Sequence, residues 1–165
     1  LNRLGQEKDK FSVEFYGRYT GFLKSLIEEY NLSQNVSIYA SVDHKTSLQL
    51  QSEAEITLLL LWDNYKEEGS FTGKFFEYMG AQRPILVIGP KENVAAKMVL
   101  QKKIGWVVSK ESDMVKVLKS LIKDRDGVLK NYQYCWQSCE EFSRKNQTAR
   151  LSEFLENLLG NQTQV

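Results

Sequence analysis

At 165 residues, 42% hydrophobic and 26% charged, the chain carries enough apolar material for one folded domain and too much for a disordered one. Its 22 basic and 21 acidic side chains leave a net charge of +1, without the basic excess that phosphate backbones select, which argues against nucleic acid as the main partner. The longest apolar run, Ile56 to Trp62, is broken by Thr57 and is too short for a transmembrane helix.

The chain opens at Leu1 without a recognisable signal peptide, in what reads as the last turn or two of a helix, so a piece of a longer protein is expected. Val13, Phe15 and Tyr16 form a β-prone run ended by Gly17. Leu23, Leu26, Ile27 and Tyr30 then fall at helical spacing, with Asn31 placed to close the helix. Val36, Ile38 and Tyr39 make a second strand, and Asp43 is placed to cap a helix carrying Leu48 and Leu50. The run from Ile56 to Trp62 is apolar without alternation, as expected of a strand buried on both faces in the middle of a parallel sheet. A helix is predicted from about Ser70 to Met79, a strand over Pro84 to Ile88, and a turn at Gly89 and Pro90. A helix over Asn93 to Lys103, a strand from Gly105 to Val108 and a helix over Asp113 to Lys123 follow. From about 128 to 160 the pattern is helical, broken near Asn146.

Strand and helix alternate about five times across short connections. The expected fold is α/β: one Rossmann-like domain over residues 1–165, with a parallel sheet of about five strands, helices on both faces and a helical tail. Ligands of such sheets bind beyond the carboxyl ends of the strands, here the loops after Tyr16, Tyr39, Trp62 and Ile88.

The segment from Gly69 to Pro84 carries the chemistry. Ser70, Gly73, Lys74 and Glu77 share one helical stripe, while Phe71, Phe75, Tyr78 and Met79 supply the apolar one. Glycine inside a helix costs roughly 1 kcal/mol against alanine, so Gly73 suggests a close approach to the backbone. A helix starting at the sheet's carboxyl edge presents free N–H groups and a positive dipole end to a phosphate. Ser70 and Thr72 add hydroxyl donors, Lys74 a positive charge, and Glu77 an acceptor for vicinal hydroxyls such as those of a ribose. The competing reading of the same stripe is an ordinary solvent face.

The stretch Thr72-Gly-Lys-Phe-Phe-Glu-Tyr-Met-Gly-Ala-Gln-Arg-Pro-Ile-Leu86 resembles the donor-site segment of retaining GT-B glycosyltransferases of the "group 1" type, whose Lys-x-x-Glu-Tyr-x-x-x-x-x-Pro pattern is matched by Lys74, Glu77, Tyr78 and Pro84. The resemblance spans roughly Ser12 to Lys123 and implies the carboxyl-terminal, nucleotide-sugar-binding half of such an enzyme. It implies that Glu77 holds the ribose, that Ser70 to Gly73, including Thr72, face the diphosphate, that Gly17 and Arg18 edge the cleft, and that backbone around Ala40 to Val42 meets the base. Many members carry a further glutamate where this chain has Gly69; Glu68 is the nearest substitute.

The resemblance further implies a nucleotide-diphospho-sugar donor as substrate, no cofactor and no metal. A glycan or lipid acceptor would be reached through an absent amino-terminal domain, so the piece alone is expected to be inactive. It implies a cytoplasmic enzyme of polysaccharide biosynthesis, with peripheral association at the inner membrane face as an option for the full-length protein. The alternatives are a non-catalytic flavodoxin-like or Rossmann-like interaction module and half of a nucleotide-sugar epimerase.

Other residues attract blander readings. His44, the one histidine, is placed at a helix start or surface. Cys135 and Cys139 read as small core-facing residues, and the Asn-x-Ser/Thr triplets at Asn31, Asn35, Asn146 and Asn161 as unglycosylated. Trp62 stacks on a ligand or packs beneath its loop. Tyr132, Tyr134, Trp136 and Phe142 dock the tail on the sheet or face another domain.

Overall fold

The five expected strands are all present in the computed structural model, which describes residues 1–18, 21–62, 69, 71–132 and 135–160. They are β1 (Val13–Tyr16), β2 (Val36–Tyr39), β3 (Thr57–Leu60), β4 (Ile85–Ile88) and β5 (Gly105–Val108). All pairings are parallel, with Val13 opposite Val36, Thr57 opposite Ile85 and Ile85 opposite Gly105. The single five-stranded sheet expected from the alternation is not formed. β1 and β2 make a two-stranded sheet, and β3, β4 and β5, in that order, a separate three-stranded one. Hydrophobic period identifies a strand but not its neighbour, because ladder partners are chosen by crossover geometry.

β3 is therefore an edge strand rather than the middle of the sheet. Leu60 is 58% exposed and Trp62, just beyond it, 77% exposed, whereas Ile85, Leu86 and Val87 of β4 are buried on both faces. The apolar run of β3 has one side without a ladder partner, which is why two-sided burial fails there.

Seven α-helices are described: α1 (Gly21–Glu29), α2 (His44–Glu53), α3 (Gly73–Ala81), α4 (Val94–Lys102), α5 (Glu111–Lys123), α6 (Arg125–Lys130) and α7 (Arg144–Gly160). Asp43, Thr72 and Asn93 cap α2, α3 and α4 through their side chains, each satisfying a first-turn N–H. The αL residues Asn31, Gln82 and Lys103 follow α1, α3 and α4. Gly89 has φ 152°, and a Cβ there would lie 2.7 Å from that of Leu61, so the turn after β4 requires glycine.

Two apolar clusters cover the three-stranded sheet. On one face Leu59, Ile85 and Val87 pack with Phe75 and Met79 of α3 and with Ala95, Ala96 and Val99 of α4. On the other, Trp106 and Ile56 pack with Leu118 and Leu121 of α5 and with Leu4 of the 3₁₀ segment Asn2–Lys10. The β1–α1–β2 unit has no such core. Among the described residues, none of α1 is buried, and Phe22 is 67% exposed.

The tail is one 3₁₀ segment (Cys135–Phe142) followed by α7, and the break falls at Ser143 rather than near Asn146. The Ser143 hydroxyl accepts the Asn146 N–H at 3.2 Å, so Asn146 belongs to the first turn of α7 and does not interrupt it. Phe142 and Cys139 pack on the first cluster, and Tyr132 lies edge-on to Trp106 at 4.7 Å, so these parts of the tail dock on the sheet. Tyr134 and the Trp136 and Cys135 side chains fall outside the described residues. Lys102 of α4 anchors the tail: its ammonium donates to the Ser138 carbonyl at 2.9 Å and pairs with the Glu141 carboxylate. That pairing, with Arg150 behind it, holds the Glu141 carboxyl below its ordinary value. Lys102→Ala is expected to speed proteolytic nicking within residues 135–150 on the order of tenfold, read by limited trypsin digestion against wild type.

Candidate functional site

α2 and α3 lie side by side and run the same way, each descending from the carboxyl edge of a strand. Three pairs of residues stitch them together. Lys74 donates to the Ser47 hydroxyl at 3.3 Å, Gln51 to the Glu77 carboxylate at 2.9 Å, and Arg83 to the Ser52 carbonyl at 2.7 Å.

α3 starts at Gly73 rather than at Ser70. Thr72 is the cap, its hydroxyl accepting the Phe75 N–H at 3.4 Å, and its extended backbone ends the helix there. Gly73 is thus the first helical residue, where glycine costs little, and the expectation of an interior glycine is corrected. Among the described residues, a Cβ on Gly73 would meet no atom within 4 Å, so their packing does not require glycine at this position. The Gly73 and Lys74 N–H groups occupy the first-turn positions that find no intrahelical partner. Ser70, Glu67 and Glu68 lie outside the described residues; Gly69 is exposed.

Glu77 stands at the seam between the helices, one turn below those N–H groups, with its side chain 25% exposed. One carboxylate oxygen accepts from Lys74 at 2.8 Å and from Gln51 at 2.9 Å; the other faces His44 Nε2 at 3.7 Å. Burial pushes the Glu77 carboxyl up, but hydrogen bonds from Lys74 and Gln51 and the Lys74 charge outweigh it, so the net shift is downward. A carboxyl held below its ordinary 4.5 in the fold adds stability above that pH and loses it as pH falls through the depressed value. The urea midpoint of wild type should therefore fall more steeply than that of Glu77→Gln between about pH 5 and 3; parallel curves would contradict the pairing.

Gln51 is buried and gives its amide N–H groups to Ser47 and Glu77, but its carbonyl oxygen has no hydrogen-bond partner among the described residues. His44 was read from sequence only as a helix-start or surface residue, and Ser47 and Gln51 were not singled out, although the three recur at helical spacing on α2 and so share the stripe that meets α3. His44 does not cap α2; Asp43 does, accepting from the Thr46 N–H at 3.0 Å and its hydroxyl at 2.6 Å. Those bonds hold the Asp43 carboxyl below its ordinary value.

Gly17, Arg18 and Val42 sit at the carboxyl ends of β1 and β2. Gly17 extends the ladder by donating to the Tyr39 carbonyl at 3.2 Å, Arg18 is exposed, and Val42 immediately precedes the cap of α2. Among the described residues, no hydrogen bond or ion pair links Gly17 or Arg18 to Thr72, Lys74 or Glu77. At the same edge the Tyr16 and Tyr39 rings stack at 4.7 Å and 16°. The Tyr16 hydroxyl donates to Glu14 at 2.8 Å, which pushes its pKa up to about 12.

A cleft of about 440 Å³ lies at the opposite end of the sheet, between Glu55, Arg83, Arg125 and Tyr132. Its two guanidinium groups are already engaged, Arg125 by Glu55 and Arg83 by the Ser52 carbonyl. What the α2–α3 cluster offers chemically is different: first-turn N–H groups without an intrahelical partner and an ammonium for an anion, and a fixed carboxylate within reach for hydroxyl donors. Searches against protein-family models and curated proteins found no match to this chain.

Proposed function

We propose that this chain is the nucleotide-sugar-binding half of a GT-B-type glycosyltransferase, in which the first turn of α3 receives the diphosphate and Glu77 the ribose. The observation that carries the reading is the position of Glu77, ionised and braced by Lys74 and Gln51 beneath the first-turn N–H groups of Gly73 and Lys74, which have no intrahelical partner. A phosphate drawn to those groups would compete for Lys74 and free a carboxylate lone pair for the sugar hydroxyls. The match of Lys74, Glu77, Tyr78 and Pro84 to the donor-site pattern supports the same assignment. Binding is its whole contribution. Transfer to a glycan or lipid acceptor would take groups from another domain.

Titration of the labelled protein with UDP, GDP and ADP tests this. Amide shifts should concentrate at residues 72–77 and at His44 to Gln51. Shifts confined to the Arg83–Arg125 cleft, or none at millimolar nucleotide, would remove the proposal.

The second reading, an interaction module without a nucleotide, draws on the exposed apolar faces. Leu151, Phe154, Leu155, Leu158 and Leu159 of α7 recur at helical spacing and are all exposed. Saturable binding of nucleotide at α3 separates the two readings.

A further inference from the structure

The two oxygens of the Glu77 carboxylate are not equivalent. Oε2 takes both hydrogen bonds that the helix seam offers, from Lys74 at 2.8 Å and from Gln51 at 2.9 Å. Oε1 takes none among the described residues and faces His44 Nε2 at 3.7 Å, too far for a direct hydrogen bond. Asp43 spends both of its oxygens on Thr46 as the cap of α2, which leaves His44, the first residue of that helix, without a capping duty. The imidazole makes no hydrogen bond among the described residues, and at 73% exposure it is open to a ligand.

An ionised carboxylate favours a proton on the ring nitrogen that faces it, so Nε2 is the donor of the pair. The notch therefore sets an N–H and a carboxylate oxygen 3.7 Å apart, and one oxygen placed beside them can lie about 2.8 Å from each. The group that fits must give a proton to Glu77 and accept one from His44 at the same atom. A phosphate, carbonyl or ether oxygen has no proton for Glu77, and an ammonium has no lone pair for His44. A hydroxyl does both.

We propose that His44 is a second contact for the ligand's diol: Nε2 donates to one ribose hydroxyl, and that hydroxyl donates to Glu77 Oε1. The inference rests on the nucleotide reading of α3 and gives α2 a specificity-determining residue within it. Gln51 and Lys74 serve this division by keeping Oε2 occupied, which turns the other oxygen toward His44. The consequence is selectivity. A nucleotide that lacks the bridging hydroxyl leaves the donor and the acceptor of the notch unmatched, and a site built to bond a hydroxyl discriminates against the analogue without it.

Wild type, His44→Leu and His44→Gln are titrated with whichever of UDP, GDP and ADP binds, and with the 2′-deoxy and 3′-deoxy forms of that nucleotide. His44→Leu should weaken the ribonucleotide on the order of tenfold, for one lost hydrogen bond. Against the deoxy form that lacks the bridging hydroxyl the same substitution should cost nothing, because the contact is already gone. His44→Gln keeps an N–H at similar reach and should restore most of the loss. His44 is the one histidine of the chain, so its imidazole resonances report the contact without overlap; they should move with the ribonucleotide and much less with that deoxy form. The side chain is mostly exposed and caps nothing, so all three proteins should fold alike. Equal losses for all three nucleotides would mean that His44 acts through general charge or the fold, and would overturn the assignment. So would a ribonucleotide affinity that His44→Leu leaves unchanged, while wild-type binding at α3 would still uphold the nucleotide reading. No binding to wild type at millimolar nucleotide removes both.

Discussion

Glu77→Ala is expected to weaken binding of UDP, GDP or ADP by on the order of 100-fold, the equivalent of about 3 kcal/mol for losing two charge-assisted hydrogen bonds to a diol. Calorimetry or NMR titration at fixed salt reads the change. The effect should exceed that of Lys74→Ala, because Lys74 is half exposed and contributes through a screened charge, whereas Glu77 is held at the helix seam. Glu77 also ties α3 to Gln51 of α2, so a structural loss must be told apart from a binding loss. Glu77→Gln keeps the size and can still accept from Gln51, so it should stay folded near neutral pH while binding more weakly. Gly73→Ala adds an independent check. Its Cβ enters open space at the first helical position, so stability should change by no more than about 0.5 kcal/mol. If a phosphate approaches that backbone, affinity should nevertheless fall. Unchanged affinity in both Glu77→Ala and Gly73→Ala would leave α3 without a ligand role.

Gly105→Ala should be the most destabilising single change, about 3–5 kcal/mol against a total that is about 5–15 kcal/mol for domains generally. Gly105 sits opposite Ile85 at the start of the β4–β5 ladder, and a Cβ there would overlap the Ile85 carbonyl oxygen and lie 2.6 Å from its nitrogen. These are backbone atoms inside a sheet and cannot swing aside as a side-chain tip would. Relief requires β5 to move off β4, which loosens Ile104 and Val108, both buried. Urea unfolding should show a lower midpoint with similar slope. A midpoint within experimental error of wild type would mean that the two strands are not that close.

Much of the local structure was legible in the residues themselves. The cap at Asp43, the closure at Asn31 and the five strands follow from short-range chemistry that any tertiary setting would have to respect. Lys74 and Glu77 were legible as neighbours because three residues on a helix bring side chains together. Their partners on α2 were not. Ser47 and Gln51 are 27 and 26 residues away from Lys74 and Glu77, and nothing in the local pattern says which helix will lie alongside. The start of α3 was misplaced by three residues because Ser70 and Thr72 are both good caps, and the chain uses the second.

By itself the sequence determined the strands, most of the helices, their order and the residues able to meet an anion and a diol, because these depend on side-chain period, capping chemistry and charge within a few residues. Only the tertiary structure decided that the strands divide into two sheets, that β3 is an edge, and that Gln51 rather than solvent meets Glu77. Those outcomes depend on which distant surfaces bury each other, and burial is a property of pairs of elements that no single stretch of chain encodes.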